Sequence, residues 1–181
     1  MQHALTRSYT LPAGTQATIE GKKVTLKKGA VSCARVIGVD GITLQNNDGV
    51  ITVSYEKGNK KQYKNLCSII AHVKSLAQGL DKKYEYKMEA CNVHFPMTLK
   101  IDQGTLLINN FLGEKNARRA VIEPGVEVVI QGQKLTITSN DREAAGMTVS
   151  NIERATHVRK RDRRVFQDGI FLTERPGRAH E

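Results

Sequence analysis

Apolar and polar positions alternate along much of this chain, and in two places the alternation gives way to a helical spacing. Gly14 to Lys27 reads GTQATIEGKKVTLK, alternating on both sides of a short turn that contains Gly21. That pattern predicts a β-hairpin. Ile42-Thr43-Leu44 and Val50 to Tyr55 predict two more strands, joined by a turn of Asn46, Asn47, Asp48 and Gly49. From about Lys60 to Gly79 the period changes, with Leu66, Ile69, Ile70, Val73, Leu76, Ala77 and Leu80 at helical spacing. The prediction is an amphipathic helix whose stripe covers a sheet face, with Lys60, Lys61, Lys64 and Lys74 off the stripe and Gly79 as C-cap.

The same vocabulary recurs further on. Tyr84 to Ala90 alternates like a strand, Val93 to Pro96 forms a turn, and Met97, Leu99 and Ile101 alternate again. Leu106 and Ile108 continue across an Asp102-Gln103-Gly104 turn. A last helix is expected from Asn140, with Glu143 three residues on as in a capping box. Val149, Ile152, Ala155 and Val158 give it an apolar face, and Gly146 weakens it by about 1 kcal/mol relative to alanine.

An internal repeat bears on the domain plan. Gly125 to Thr138, GVEVVIQGQKLTIT, aligns without a gap on Gly14 to Lys27 at an offset of 111. Gly14/Gly125, Ile19/Ile130, Gly21/Gly132, Lys23/Lys134 and Thr25/Thr136 are identical. The expectation is an α+β chain of two similar small domains from a duplication, residues 1–81 and 82–181. Each is a mostly antiparallel sheet with one amphipathic helix on one face, and the boundary falls near Leu80-Asp81-Lys82.

Charge then narrows the function. Lys plus Arg number 28 against 18 Asp plus Glu, a net charge of +10. The excess is uneven: residues 1–81 carry 11 basic and 5 acidic groups, 82–153 carry 9 of each, and 154–181 carry 8 and 4. Two basic ends around a neutral middle point to a nucleic-acid partner through defined faces. Nothing approaches the ~18 apolar residues that span a bilayer, and Met1 to Thr10 is too polar for a secretory signal, so no membrane role and a cytosolic location are expected. Cys33, Cys67 and Cys91 have no metal-ligand spacing and are expected to be buried thiols, with no metal and no cofactor. Trp is absent and aromatics are 5% of residues, which argues against a binder built on stacked aromatic platforms.

The charge concentrates in Val158 to Arg175, VRKRDRRVFQDGIFLTER. Arg159, Lys160, Arg161, Arg163, Arg164 and Arg175 interleave there with the apolar anchors Val165, Phe166, Ile170, Phe171 and Leu172. Gln167-Asp168-Gly169 reads as a tight turn with Gly169 at positive φ. A basic segment pinned at both ends holds guanidinium groups in fixed positions, a shape suited to phosphate contacts. No nucleotide-binding, metalloprotease or hydrolase motif occurs, and Cys67 and His72, five apart on one helix, do not form a catalytic pair. His94 reads as a packed turn histidine, and an enzyme is not expected.

Three blocks give the chain a family likeness. LCSIIAHVKSLAQG carries Cys67, His72 and Val73. MEACNVHFPM carries His94, Phe95 and Pro96. NFLGEK, Asn110 to Lys115, is followed by Arg118-Arg119. With Arg161, Arg164, Phe166, Asp168, Gly169, Ile170, Phe171 and Leu172, they resemble, in order and over nearly the whole length, the family of the sixth large-subunit ribosomal protein in its archaeal and eukaryotic form, numbered nine in eukaryotes. The first half is less similar: Lys27-Lys28-Gly29-Ala30 stands where the family has a Gly-Pro-basic-Gly turn, and Arg154 stands where it tends to have Gln. The resemblance implies an RNA-bound structural protein of the large subunit, with two related α/β domains. It implies a position near the stalk base and the sarcin–ricin region, beside other ribosomal proteins and where translation factors dock.

On that basis Lys115, Arg118, Arg119, Arg159, Lys160, Arg161, Arg163 and Arg164 are the expected contacts to RNA phosphates and sugars, with Lys22, Lys23, Lys27 and Lys28 as a second basic patch. Phe111, Gly113, Phe166, Asp168, Gly169 and Phe171 are expected structural anchors; base stacking is the other reading for the phenylalanines. A free-standing RNA-binding or regulatory protein is the alternative function. An enzyme using His72 or His94 is a third, motivated by those side chains alone.

Overall fold

The computed structural model describes residues 3–177 apart from position 48, so Asp48 of the expected turn lies outside the described residues. Backbone contacts divide the chain into two compact units, Met1–Lys82 and Lys83–Glu181.

The first unit contains β1 (His3–Thr10), β2 (Gln16–Glu20), β3 (Lys23–Lys28), β4 (Val31–Val36), β5 (Thr43–Asn47), β6 (Val50–Gly58) and α1 (Lys60–Asp81). β2-β3-β4 form one antiparallel sheet and β1-β6-β5 another. β6 buries Ile51, Val53 and Tyr55 on one face, as a period of two requires. α1 lays Leu66, Ile69, Val73, Leu76 and Ala77 against that core. Its start is fixed by Asn59, whose side chain accepts from Lys61 N at 2.9 Å and Gln62 N at 3.3 Å, while Asn59 N donates to Gln62 Oε1 at 2.9 Å. This capping box satisfies donors the first turn leaves unpaired. Its Asn-x-x-Gln signature was present in the sequence beside the predicted start. The far end corrects the expectation at Gly79, which is buried inside the helix rather than capping it. The apolar stripe continues past Gly79 to Leu80, and Lys82 N closes the last turn on Gln78 O at 3.0 Å.

The second unit contains β7 (Tyr84–Cys91), β8 (Thr98–Asp102), β9 (Thr105–Asn109), a single 3-10 turn (Phe111–Gly113), β10 (Arg118–Val121), β11 (Glu127–Gln131), β12 (Lys134–Ser139), α2 (Arg142–Ala155) and β13 (Gly169–Glu174). β8-β9-β10 form a three-stranded sheet and β11-β12-β7-β13 a four-stranded one, all antiparallel. α2 packs on β7, β10, β12 and β13 over Met88, Leu106, Ile108, Leu135, Ile137 and Ile152. It begins one residue later than expected: Asp141 is the N-cap and accepts from Glu143 N at 2.8 Å. Asp141 wins because its own N–H is held by the Ser139 hydroxyl at 3.1 Å, which sets it outside the helix. The helix ends at Ala155, so buried Val158 packs from the following loop and not from a helix face.

The two units share one plan, and topology corrects the register of the repeat. β1-β6-β5 matches β7-β12-β11, β2-β3-β4 matches β8-β9-β10, and each ends in a helix, with β13 an addition to the second unit. β8 begins 82 positions after β2, Thr98 against Gln16. The 111-residue alignment therefore overlaid β2–β3 on β11–β12, hairpins with different places in the plan. Their likeness follows from shared turn chemistry: Gly21 (φ 59°) and Gly132 (φ 63°) each open a two-residue turn. The true counterpart of β2–β3 turns through Gln103 (φ 43°) and Gly104 (φ 73°) instead.

Candidate nucleic-acid interface

The chain leaving α2 forms a loop, residues 157–168, closed at both ends. The Thr156 hydroxyl donates back to the end of α2 and accepts Ile170 N at 3.1 Å, so entry and exit share one buried side chain. Val158 and Ile170 are buried on either side of it. Within the loop, Asp162 accepts Arg164 N at 3.0 Å with its side chain and the N–H of Val165 and Phe166 with its carbonyl.

The exit is locked by Asp168, 2% exposed. Its carboxylate accepts Val93 N at 2.7 Å, His94 N at 3.1 Å and His94 Nδ1 at 2.5 Å. Burial pushes this carboxyl upward, but the hydrogen bonds from the His94 ring and from the backbone of His94 and Val93 outweigh it, and its pKa lies below the ordinary carboxylate value. The His94 ring stacks on Phe166 with centroids 4.8 Å apart, and the Arg161 guanidinium lies 4.7 Å from the Phe166 centroid. Aspartate, histidine, phenylalanine and arginine thus form a column from the interior to the surface. The reading of Asp168-Gly169 as a tight turn is overturned: Gly169 has no positive φ and is the first residue of β13. A Cβ at this position would meet the Phe171 ring at 2.8 Å, so a larger residue would displace that ring.

A second anchor is the Asn110 to Lys115 loop. Phe111 is fully buried, and Asn110 (φ 57°), Leu112 (φ 50°) and Gly113 (φ 77°) are left-handed. Two non-glycine residues in that region store strain that packing must offset. Arg118 supplies much of the packing. It donates from Nε and Nη2 to Glu114 at 2.8 and 2.6 Å and from Nη1 to Ala155 O and His157 O at 2.9 and 3.0 Å, and it lies 4.1 Å over the Phe111 ring. The carboxyl of Glu114 is lowered, chiefly by the hydrogen bond from Arg118. Arg118 thereby ties this loop to the C-terminal end of α2, where unpaired carbonyls favour a cation.

The expected RNA-binding residues divide by environment. Arg159, Lys160, Arg163, Lys115 and Arg119 are exposed, and none of their side chains has a hydrogen bond or ion pair among the described residues. Lys160 is itself left-handed, at φ 56°. Arg161 is exposed on Phe166, and exposed Arg164 is paired with Asp162 at 2.9 Å. Arg118 is turned inward. In the first unit, Lys22 pairs with Asp40 and Lys28 with Asp81, leaving exposed Lys23 and Lys27 on the outer face of β3. Of the expected anchors, Phe111, Gly113, Phe166, Asp168 and Gly169 serve the packing described, whereas Phe171 is 45% exposed, because odd positions of β13 face away from the core that takes Ile170. Val165 is likewise exposed, and Cys91 is exposed rather than a buried thiol, with Cys33 and Cys67 half-buried.

Sequence reasoning did not foresee that Asp168 and His94 meet, although both blocks were singled out; 74 positions separate them and nothing local joins them. Nor did it foresee a groove of about 1000 Å³ beside the loop, bordered by Arg154, Arg159, Arg163 and Phe171. Among the described residues no three His, Cys, Asp or Glu side chains gather as a metal site, and no helix is long and apolar enough to cross a membrane.

Comparison with known proteins adds a family. The family model described as Ribosomal protein L6 matches residues 95–169, the stretch that holds the Phe111 loop, α2 and the basic loop. The large ribosomal subunit protein uL6 of Methanocella arvoryzae is 35% identical over 170 residues, covering 93% of this chain and 96% of that protein. The uL6 of Methanosphaera stadtmanae is 36% identical over 172 residues, 94% of each chain, and that of Methanococcus vannielii 32% identical over 169 residues, 93% of each.

Proposed function

Since this chain belongs to the ribosomal protein L6 family, we propose that it is a structural constituent of the large ribosomal subunit in the cytoplasm, where it grips folded ribosomal RNA by shape and backbone. The family is structural, not enzymatic. The observation that carries the RNA reading is a loop fastened at Thr156 and Asp168 whose Arg159, Lys160 and Arg163 side chains have no hydrogen bond or ion pair among the described residues. Fixed cations without carboxylate partners lose little on meeting a polyanion, and releasing the RNA's counterions favours the contact. An A-form helix hides its base edges in a deep, narrow groove, so such a surface reads phosphates, 2′-hydroxyls and shape. Lys115 and Arg119 extend the surface, while Arg161 presents its charge on Phe166. Arg118 acts through what it holds in place. Exposed Lys23 and Lys27 provide a smaller contact in the first unit.

The likeness to the family also suggests the neighbourhood: the base of the stalk and the sarcin–ricin region, beside other ribosomal proteins and within reach of translation factors. Charge reversal at Arg159 and Arg163 together tests the core of the proposal. Both side chains are exposed, so the variant is expected to fold and melt as the unaltered chain does, yet to be depleted from large subunits on a sucrose gradient. Stoichiometric sedimentation of the double variant with large subunits would count against the loop as the contact. An unaltered chain that stays at the top of the gradient would favour a free-standing RNA-binding protein.

A further inference from the structure

The groove beside the basic loop brings an exposed aromatic ring together with cations that have no side-chain partner among the described residues. Phe111 is buried beneath Arg118, Phe166 has His94 on one side and Arg161 near its ring, and Phe95 lies against Gly113 outside the groove. Phe171 lies over Gly169 on one side, is 45% exposed, and is the phenylalanine of the groove with no ring stacked on it and no cation over it among the described residues. Around it stand Arg154, Arg159 and Arg163, whose guanidiniums have no hydrogen bond or ion pair among the described residues. The two carboxylates in the wall are already engaged: Asp168 by Val93 and His94, and Glu153 by Leu172 N at 3.1 Å. Three guanidiniums without a side-chain partner outnumber the two carboxylates of the wall, and with one accessible aromatic face they are complementary to a phosphate joined to a flat ring.

We propose that this groove receives a single unpaired nucleotide of the bound RNA, its base on Phe171 and its flanking phosphates on Arg154, Arg159 and Arg163. The proposal rests on the RNA-binding reading above and specifies what part of the RNA enters this site. A groove of about 1000 Å³ has room for one nucleotide but none for a duplex, so the occupant is extrahelical. Stacking on one aromatic ring tolerates any base, so the site selects an unpaired position and not a sequence. Arg154 adds a third cation to the rim.

The test uses the full chain and deproteinised large-subunit ribosomal RNA of the source organism. Affinity is measured over a series of KCl concentrations and nucleotide flexibility by 2′-hydroxyl acylation. Phe171→Leu keeps an apolar side chain on an exposed strand position and is expected to melt like the unaltered chain. It should bind about tenfold more weakly at every salt concentration and restore reactivity at one or a few unpaired nucleotides. Arg154→Gln should lower the slope of log affinity against log salt by about one. If Phe171→Leu binds with unchanged affinity and footprint, the groove holds no nucleotide. Absence of salt-dependent binding by the unaltered chain would instead remove the RNA reading itself, a result distinguishable from a silent Phe171 variant.

Discussion

Replacing Asp168 by alanine removes the one carboxylate that fastens the exit of the basic loop. Three donors lose their acceptor: Val93 N at 2.7 Å, His94 N at 3.1 Å and His94 Nδ1 at 2.5 Å. Because Asp168 is 2% exposed, water does not replace it freely. Breaking a buried, charge-assisted network from one side costs about 3–5 kcal/mol. In a unit of this size that corresponds to a fall in melting temperature of roughly 4–8 °C per kcal/mol. Asp168→Asn keeps the shape and one acceptor oxygen, so about 1–2 kcal/mol is expected, the difference between charged and neutral hydrogen bonds. The folded-state pKa of Asp168 is depressed, so its contribution is present above the unfolded carboxyl value near 4 and lost as pH falls through the lower folded value. The gap between Asp168→Asn and the unaltered chain should therefore be full at neutral pH and close in strong acid. Urea denaturation followed by circular dichroism gives the size, and hydrogen exchange at the Val93 and His94 amides gives the place. Equal stability together with unchanged protection of those two amides in Asp168→Ala would refute the reasoning.

Two further outcomes follow from single contacts. Arg118→Gln removes the paired bonds to Glu114 and the bonds to Ala155 O and His157 O, and should cost about 2–3 kcal/mol while leaving the salt slope of RNA binding unchanged at a permissive temperature. A fall in slope of about one without loss of stability would mean that its guanidinium meets phosphate instead. Asn59→Ala removes the side-chain half of the capping box at α1 and should destabilise the first unit by about 1 kcal/mol, read as earlier exchange of the Lys61 and Gln62 amides; protection equal to the unaltered chain would discount the cap.

Local pattern was enough for the α+β class, the hairpins and the apolar stripe of α1, because a period of two, a period of 3.6 and a turn glycine are properties of neighbouring residues. β1, β4, β10 and β13 escaped notice: β1, for one, is nearly all exposed, and its outward residues carry no apolar alternation to read. The likeness of Gly14–Lys27 to Gly125–Thr138 was real as turn chemistry but did not show which hairpins correspond, since the plan of a unit lies in strand pairing. Composition and the basic run pointed to a polyanion without saying which cations stay open. Only the tertiary structure turned Arg118 inward, paired Lys22 and Lys28 with carboxylates, left Phe171 45% exposed and brought His94 to Asp168. Dihedral preference and burial period are written residue by residue. The partner of a charge is instead chosen by the register of distant strands, and no short stretch of chain contains that information.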